Sequence, residues 1–140
     1  MHKSSVYDAN LIHLQKIRTA AGSITAVHNG LEIPFDIKRC FYLFDVPSGQ
    51  SRGGHAHKEL HQLIISASGS FEVLLSDANN QRAISLNQPN KGVYVPPGLW
   101  SELANFSSGS ICLVLASEYF DEADYIRSYK AFSSYKKNQQ

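Results

Sequence analysis

The chain is a succession of short apolar and β-branched runs, and nearly every run is closed by a cluster of glycine, proline, asparagine, aspartate or serine. Residues 11–17 show imperfect alternation and predict a first strand, after which Ala20-Ala21-Gly22-Ser23 turns the chain into 24–28 and Asn29-Gly30 marks another turn. Residues 37–46, rich in aromatic and branched side chains and closed by Pro47-Ser48-Gly49, predict a well-buried strand. Further strands are expected over 60–66, 71–76, 82–86, 92–95 and 110–116, the first two joined as a hairpin through Ser68-Gly69-Ser70. With no βαβ alternation anywhere, this spacing predicts an all-β antiparallel sandwich or barrel. From Asp121 onward, Ala123, Ile126, Tyr129 or Lys130, and Phe132 recur at helical spacing, which predicts a short C-terminal helix capped by Asp121. Residues 1–10 and 134–140 are expected to fray.

A length of 140 residues suits one domain and one core, and 43% apolar residues exclude a disordered chain. A formal net charge of +1 provides no general attraction to nucleic acid or to an anionic membrane. No apolar stretch approaches a bilayer-spanning length and the first residues lead into no signal-peptide core, so neither a membrane nor a nucleic-acid partner is expected and a cytoplasmic location is. Cys40 and Cys112 lie in apolar runs without a CxxC pattern and are expected to be buried free thiols.

Chemistry concentrates in Gly53-Gly54-His55-Ala56-His57-Lys58. Strand side chains alternate faces, so His55 and His57 project together. Inside a barrel, burial and neighbouring charge tune two imidazoles whose pKa starts near neutrality, which suits proton transfer or metal binding.

The frame around this pair resembles the cupin family. Gly49, His55, His57, position 62 and Gly69 keep the spacing of its first motif; Gly92, Pro96-Pro97-Gly98, position 101 and Asn105 keep that of its second. The resemblance implies a jelly-roll barrel. Cupin metals are held by three histidines and a carboxylate, donors that suit transition metals. Here Gln62 replaces the carboxylate and Ser101 the third histidine, so no tightly bound metal and no cofactor are expected. His61, which shares the parity of His57, is the alternative third ligand.

A closer resemblance runs over roughly residues 11 to 132. Residues 33–39, 52–58, 93–97 with Trp100, and 114–127 look like the corresponding blocks of the sugar 3,4-ketoisomerases, small cupins acting on dTDP-4-keto-6-deoxyglucose. The resemblance implies a metal-free homodimer that takes a dTDP-linked keto sugar on the way to 3-amino-3,6-dideoxy sugars. It places the essential histidines at 55 and 57. The family also has a tyrosine where Phe41 stands and a histidine where Ser101 stands, so this cavity lacks two polar groups that its relatives carry.

The 3,4 shift needs a base over C3, a donor to C4 and hydrogen bonds to the enediolate oxygens. His55 is the expected base, with His57 assisting. Arg39 and Arg52 are candidates for the pyrophosphate, since a guanidinium pairs bidentately with phosphate oxygens. Tyr94 and Trp100 are candidates for stacking on thymine or sugar. Glu118, Tyr119 and Asp121, in a block shared with the family, are expected to have a structural or dimer role and no chemistry. The competing readings are a non-catalytic nucleotide-sugar- or carbohydrate-binding cupin, an epimerase of the 3,5 type and a metal-dependent dioxygenase.

Overall fold

The structure, a computed structural model, describes residues 3–139; Met1, His2 and Gln140 lie outside the described residues. The strands are β1 (Asn10–His13), β2 (Ile17–Thr19), β3 (Gly22–Ile24), β4 (Arg39–Leu43), β5 (Arg52–His57), β6 (Gln62–Ser68), β7 (Phe71–Ser76), β8 (Gln81–Leu86), β9 (Lys91–Val95), β10 (Trp100–Ala104), β11 (Ile111–Ala116) and β12 (Tyr125–Ile126). One helix, α1 (Tyr129–Lys137), follows. A five-stranded sheet in the order β1-β9-β6-β11-β4 faces another in the order β12-β5-β10-β7-β8, and β2 with β3 forms a separate hairpin. Every pairing is antiparallel. This is the expected jelly-roll barrel.

Alternation along the strands decides what fills it. Ile64, Val93, Val95, Cys112 and Val114 of the first sheet meet Phe71, Val73, Leu75, Leu86 and Leu103 of the second between the layers. The opposite faces are covered too. Leu63, Ile65 and Tyr94 turn outward beneath Ile33 and Phe35 of the long segment before β4, and Trp100 and Ala56 turn outward beneath Phe132 of α1.

Several expectations are corrected. Residues 11–17 are not one strand: β1 ends at His13, and Ile17 already belongs to the β2–β3 hairpin. The 24–28 strand is replaced by β3, which ends at Ile24. β10 is a strand beyond those expected, formed by residues of the second motif. The C-terminal helix starts seven residues later than expected, its cap moving from Asp121 to Ser128. Asp121 does act as a cap, accepting from the Ala123 N–H, but the turn it caps is a 3-10 turn, and the chain then extends as β12 to pair with His57 and Ala56. An exposed edge of β5 leaves backbone groups unpaired, and β12 satisfies them. Only at Ser128, which accepts from the Ala131 N–H, does the α-helix begin.

Among the described residues, both terminal segments hydrogen-bond to the rest of the chain. Val6 donates its N–H to Asp77, Arg82 donates to the Val6 and Ala9 carbonyls, and the ammonium of the 7% exposed Lys136 donates to the Ser4 carbonyl. Cys112 is buried, and burial pushes its thiol up to about 12, while Cys40 is exposed. The correction for Cys40 is one of parity. Arg39, Phe41 and Leu43 point into the barrel, so Cys40 and Tyr42 point out.

Candidate active site

The histidine pair stands on β5 immediately after a backbone irregularity. Gly53 and Gly54 hold φ of +92° and +91°, and the β5–β10 register shifts so that Ser101 faces His55 while Glu102 faces Gly53. That is a β-bulge in a conformation that favours glycine. A Cβ at position 53 would also lie 3.3 Å from both the Glu102 Cα and the Ser101 carbonyl oxygen. The two glycines thus set the direction in which the histidines leave the strand.

His55 and His57 point to one side, with ring centroids 4.9 Å apart and planes at 79°. A third ring completes the cluster. Tyr125, opposite His57 in the β12–β5 register, lies edge-on at 5.1 Å from His55 and 4.4 Å from His57. The Arg127 guanidinium sits 4.3 Å from the Tyr125 ring centroid and is fixed by hydrogen bonds of 2.7 and 2.8 Å to Glu122.

Two concavities meet at Tyr125. A cavity of about 200 Å³ inside the barrel is lined by Phe41, Arg52, His55, Gln62, Ser101 and Arg127 among others. A more open recess of about 660 Å³ is lined by Arg39, His57, Glu118, Tyr119, Phe120 and Asp121 among others. Tyr125 borders both. His57 Nε2 and Arg39 Nε are buried without a hydrogen-bond partner. Orphaned donors and acceptors of this kind cost roughly 1–3 kcal/mol each unless a polar partner meets them.

Of the residues singled out in the sequence, His55, Arg52, Ser101 and Phe41 share the cavity, and Arg39 shares the recess with His57. Arg39 packs over Phe41 at 4.9 Å and Phe120 at 5.8 Å. Tyr94 and Trp100 are not brought to either space. Tyr94 lies on the outer face of its sheet, its hydroxyl 2.7 Å from His61 Nδ1. Trp100 lies beneath α1, donating to Glu102 at 3.2 Å. The third-ligand position considered for His61 is not formed, because the turn between β5 and β6 breaks the parity and sends its ring to Phe35 and Tyr94. The cupin metal set therefore does not fit this wall: an amide and an alcohol stand where a carboxylate and an imidazole would be needed.

Tyr125 and Arg127 are the residues that sequence reasoning missed. Both sat in a stretch whose spacing looked helical, which would have placed them outside the barrel.

Burial pushes the His55 pKa below its ordinary value; the Arg127 charge pushes the same way and Glu122 opposes it. His57 is driven down to about 3 by burial, then by His55, Arg39 and Arg127. Both rings are neutral at pH 7. An unfolded chain binds a proton at His57 near pH 6.5 and the folded one only near pH 3, so between those values the unfolded state holds more protons and stability rises with pH. Above about pH 6.5 the contribution is flat. Urea midpoints at pH 5.0 and 7.5 are expected to be lower at the acid value, with a smaller difference in His57→Asn; equal differences would contradict this origin.

A jelly roll that brings two imidazoles and a phenol to the meeting point of a barrel cavity and an open recess defines a small cupin. Comparison with known proteins is more particular. The chain matches the family model described as FdtA: WxcM-like, C-terminal over residues 7–137, and it belongs to that family of sugar 3,4-ketoisomerases, as its motifs led us to expect. It is 44% identical over 125 residues to the TDP-4-oxo-6-deoxy-alpha-D-glucose-3,4-oxoisomerase of Aneurinibacillus thermoaerophilus, covering 89% of this chain and 90% of that one. The sugar 3,4-ketoisomerase QdtA of Thermoanaerobacterium thermosaccharolyticum, solved in complex with TDP, superposes with a TM-score of 0.92 at 40% identity, covering 96% and 98% of the two chains. A histidine-to-asparagine variant of that enzyme has been solved with TDP-4-keto-6-deoxyglucose. A 3,4-ketoisomerase of Helicobacter canadensis superposes at 0.90 with 41% identity, covering 93% and 98%.

Proposed function

We propose that this protein moves the ketone of TDP-4-keto-6-deoxyglucose from C4 to C3, feeding the synthesis of nucleotide-linked 3-amino-3,6-dideoxy sugars. The observation that carries this reading is the edge-on cluster of His55, His57 and Tyr125 where cavity and recess meet. His55, half-buried and neutral, removes the C3 hydrogen that the adjacent carbonyl acidifies and returns a hydrogen to C4. His57 stays neutral, and its buried Nε2 makes the hydrogen bond to substrate that the protein does not supply. Arg52 stands in the cavity and Arg39 in the recess, so a nucleotide sugar spanning both meets a guanidinium on each side. Ser101 and Phe41 shape the wall facing the sugar.

The test is carbon NMR of the product formed from TDP-4-keto-6-deoxyglucose. An isomerase shifts the carbonyl resonance from C4 to C3. A 3,5-epimerase keeps the ketone at C4 and inverts a neighbouring centre, and a binding protein returns the sugar unchanged; either result sinks the proposal.

The reading includes a homodimer in the cytoplasm. Tyr42 on the outer side of edge strand β4 and Phe44 just after it, their rings tilted with centroids 5.7 Å apart, are 58% and 59% exposed, and Ile17 and Ile24 stand out on the β2–β3 hairpin. Exposed aromatic side chains paired at an edge strand suit an interface with a second copy of the chain. Light scattering is expected to return twice the 15.5 kDa chain mass, and a monomer at micromolar concentration would refute this part. Among the described residues no helix is long and apolar enough to cross a membrane.

A further inference from the structure

A 3,4 ketone shift relocates two hydrogens. One passes from carbon 3 to carbon 4, and one from the oxygen on C3 to the oxygen on C4. An imidazole over the carbons handles the first. The second needs a group that both gives and takes a proton beside the two oxygens.

The cavity walls hold six side chains with exchangeable hydrogens: Arg52, His55, Gln62, Ser101, Tyr125 and Arg127. A guanidinium does not give up a proton in proteins, and an amide neither gives nor takes one at neutral pH. The alcohol of Ser101 is a far weaker acid than a phenol, whose pKa lies near about 10. His55 is engaged with the carbon-bound hydrogen. Phe41, on the β4 wall, has no hydroxyl. Elimination leaves Tyr125, whose ring touches both imidazoles and whose hydroxyl no hydrogen bond among the described residues engages.

We propose that Tyr125 is a catalytic residue that shuttles the hydroxyl proton from the C3 oxygen to the C4 oxygen of the sugar. The proposal rests on the isomerase reading above. As His55 takes the C3 hydrogen, the C3–H bonding pair becomes the C3=C4 double bond, the carbonyl pair moves to the C4 oxygen, and Tyr125 gives that oxygen its phenolic proton. The phenolate then takes the proton of the C3 hydroxyl. The freed oxygen pair forms the C3 carbonyl, and the double-bond pair takes a hydrogen from the His55 imidazolium to make C4–H. Both side chains end as they began, with no oxidant or reductant consumed. Arg127, locked by Glu122 over the face of the Tyr125 ring, places positive charge beside the transient phenolate. It is a positioning residue.

Tyr125→Phe keeps the ring packing and removes only the hydroxyl. Wild type and variant are incubated with TDP-4-keto-6-deoxyglucose in deuterated buffer, with exchange at C3 of recovered substrate and ketone position both followed by NMR. In the variant, Arg52 and Arg127 still face the oxyanion, so C3 exchange is expected within about tenfold of wild type while ketone migration falls about 100-fold or more. Migration at the wild-type rate would overturn the proposal, as would exchange and migration falling together, which would make Tyr125 a support for His55. A wild-type protein showing neither process overturns the isomerase reading itself, and the two failures are thereby distinguished.

Discussion

His55→Asn is expected to lower turnover by about 10²- to 10⁴-fold while the thermal midpoint moves little. Asparagine keeps a polar side chain of smaller volume at a half-buried position, so packing is nearly preserved. What it loses is a group that can hold a proton taken from carbon. His57 cannot replace it. It lines the recess rather than the cavity, and burial holds its pKa at about 3, too low to make it an effective base near neutrality. The loss should therefore fall on turnover, with KM changed by less than about tenfold, because the groups that hold the nucleotide are untouched. Steady-state kinetics with TDP-4-keto-6-deoxyglucose, alongside a thermal melt, check this. Retention of more than a tenth of wild-type turnover would remove His55 from the role of base. In wild type the same role predicts an acid limb in kcat/KM below pH 6.5, since burial lowers the His55 pKa from that value.

The second large effect lies outside the cavity. Phe132→Ala is expected to destabilise the protein by about 3–5 kcal/mol, with a thermal midpoint lower by about 10 °C or more. Phe132 is fully buried, 5.8 Å from Trp100 and 5.7 Å from Tyr129, and it packs with Ala56 and Ile126. The consequence for function follows from the length of β12, which has two residues and pairs only with β5. Such a short strand is held by what covers it, and α1 is the cover. Truncating Phe132 should free β12 before the barrel melts, withdrawing Tyr125 and Arg127 from the histidines. Urea unfolding measures the stability loss, and amide exchange at Tyr125 and Ile126 should accelerate more than exchange in β6. A loss below about 1 kcal/mol, or uniform acceleration across both sheets, would contradict this coupling.

The residues differ in how far they could be read without coordinates, for physical reasons. His55 and His57 were legible because a period of two survives in any regular strand, and the bulge at Gly53-Gly54 lies before the pair rather than within it. The same rule failed at His61, since parity does not carry across a turn. Parity was available for Cys40 and was not applied: it lies between Arg39 and Phe41, which face inward. Tyr94 and Trp100 show the limit of reading a motif as a site. Spacing fixes their strands, but which sheet face each presents depends on register, and both face outward. Tyr125 was hidden most deeply. Asp121, Ala123, Ile126 and Tyr129 have helical spacing, and what overrides it is long-range, the open edge of β5 recruiting Tyr125 and Ile126 as a strand. Local pattern carries no trace of that demand.

The position at which solvent deuterium enters the sugar tests the central claim most directly. With wild-type protein and TDP-4-keto-6-deoxyglucose in deuterated buffer, a neutral histidine acting at C3 predicts label at C3 of recovered substrate and at C4 of product, with C5 unlabelled. Label at C5, or a sugar recovered without any deuterium after prolonged incubation with folded protein, would contradict the account.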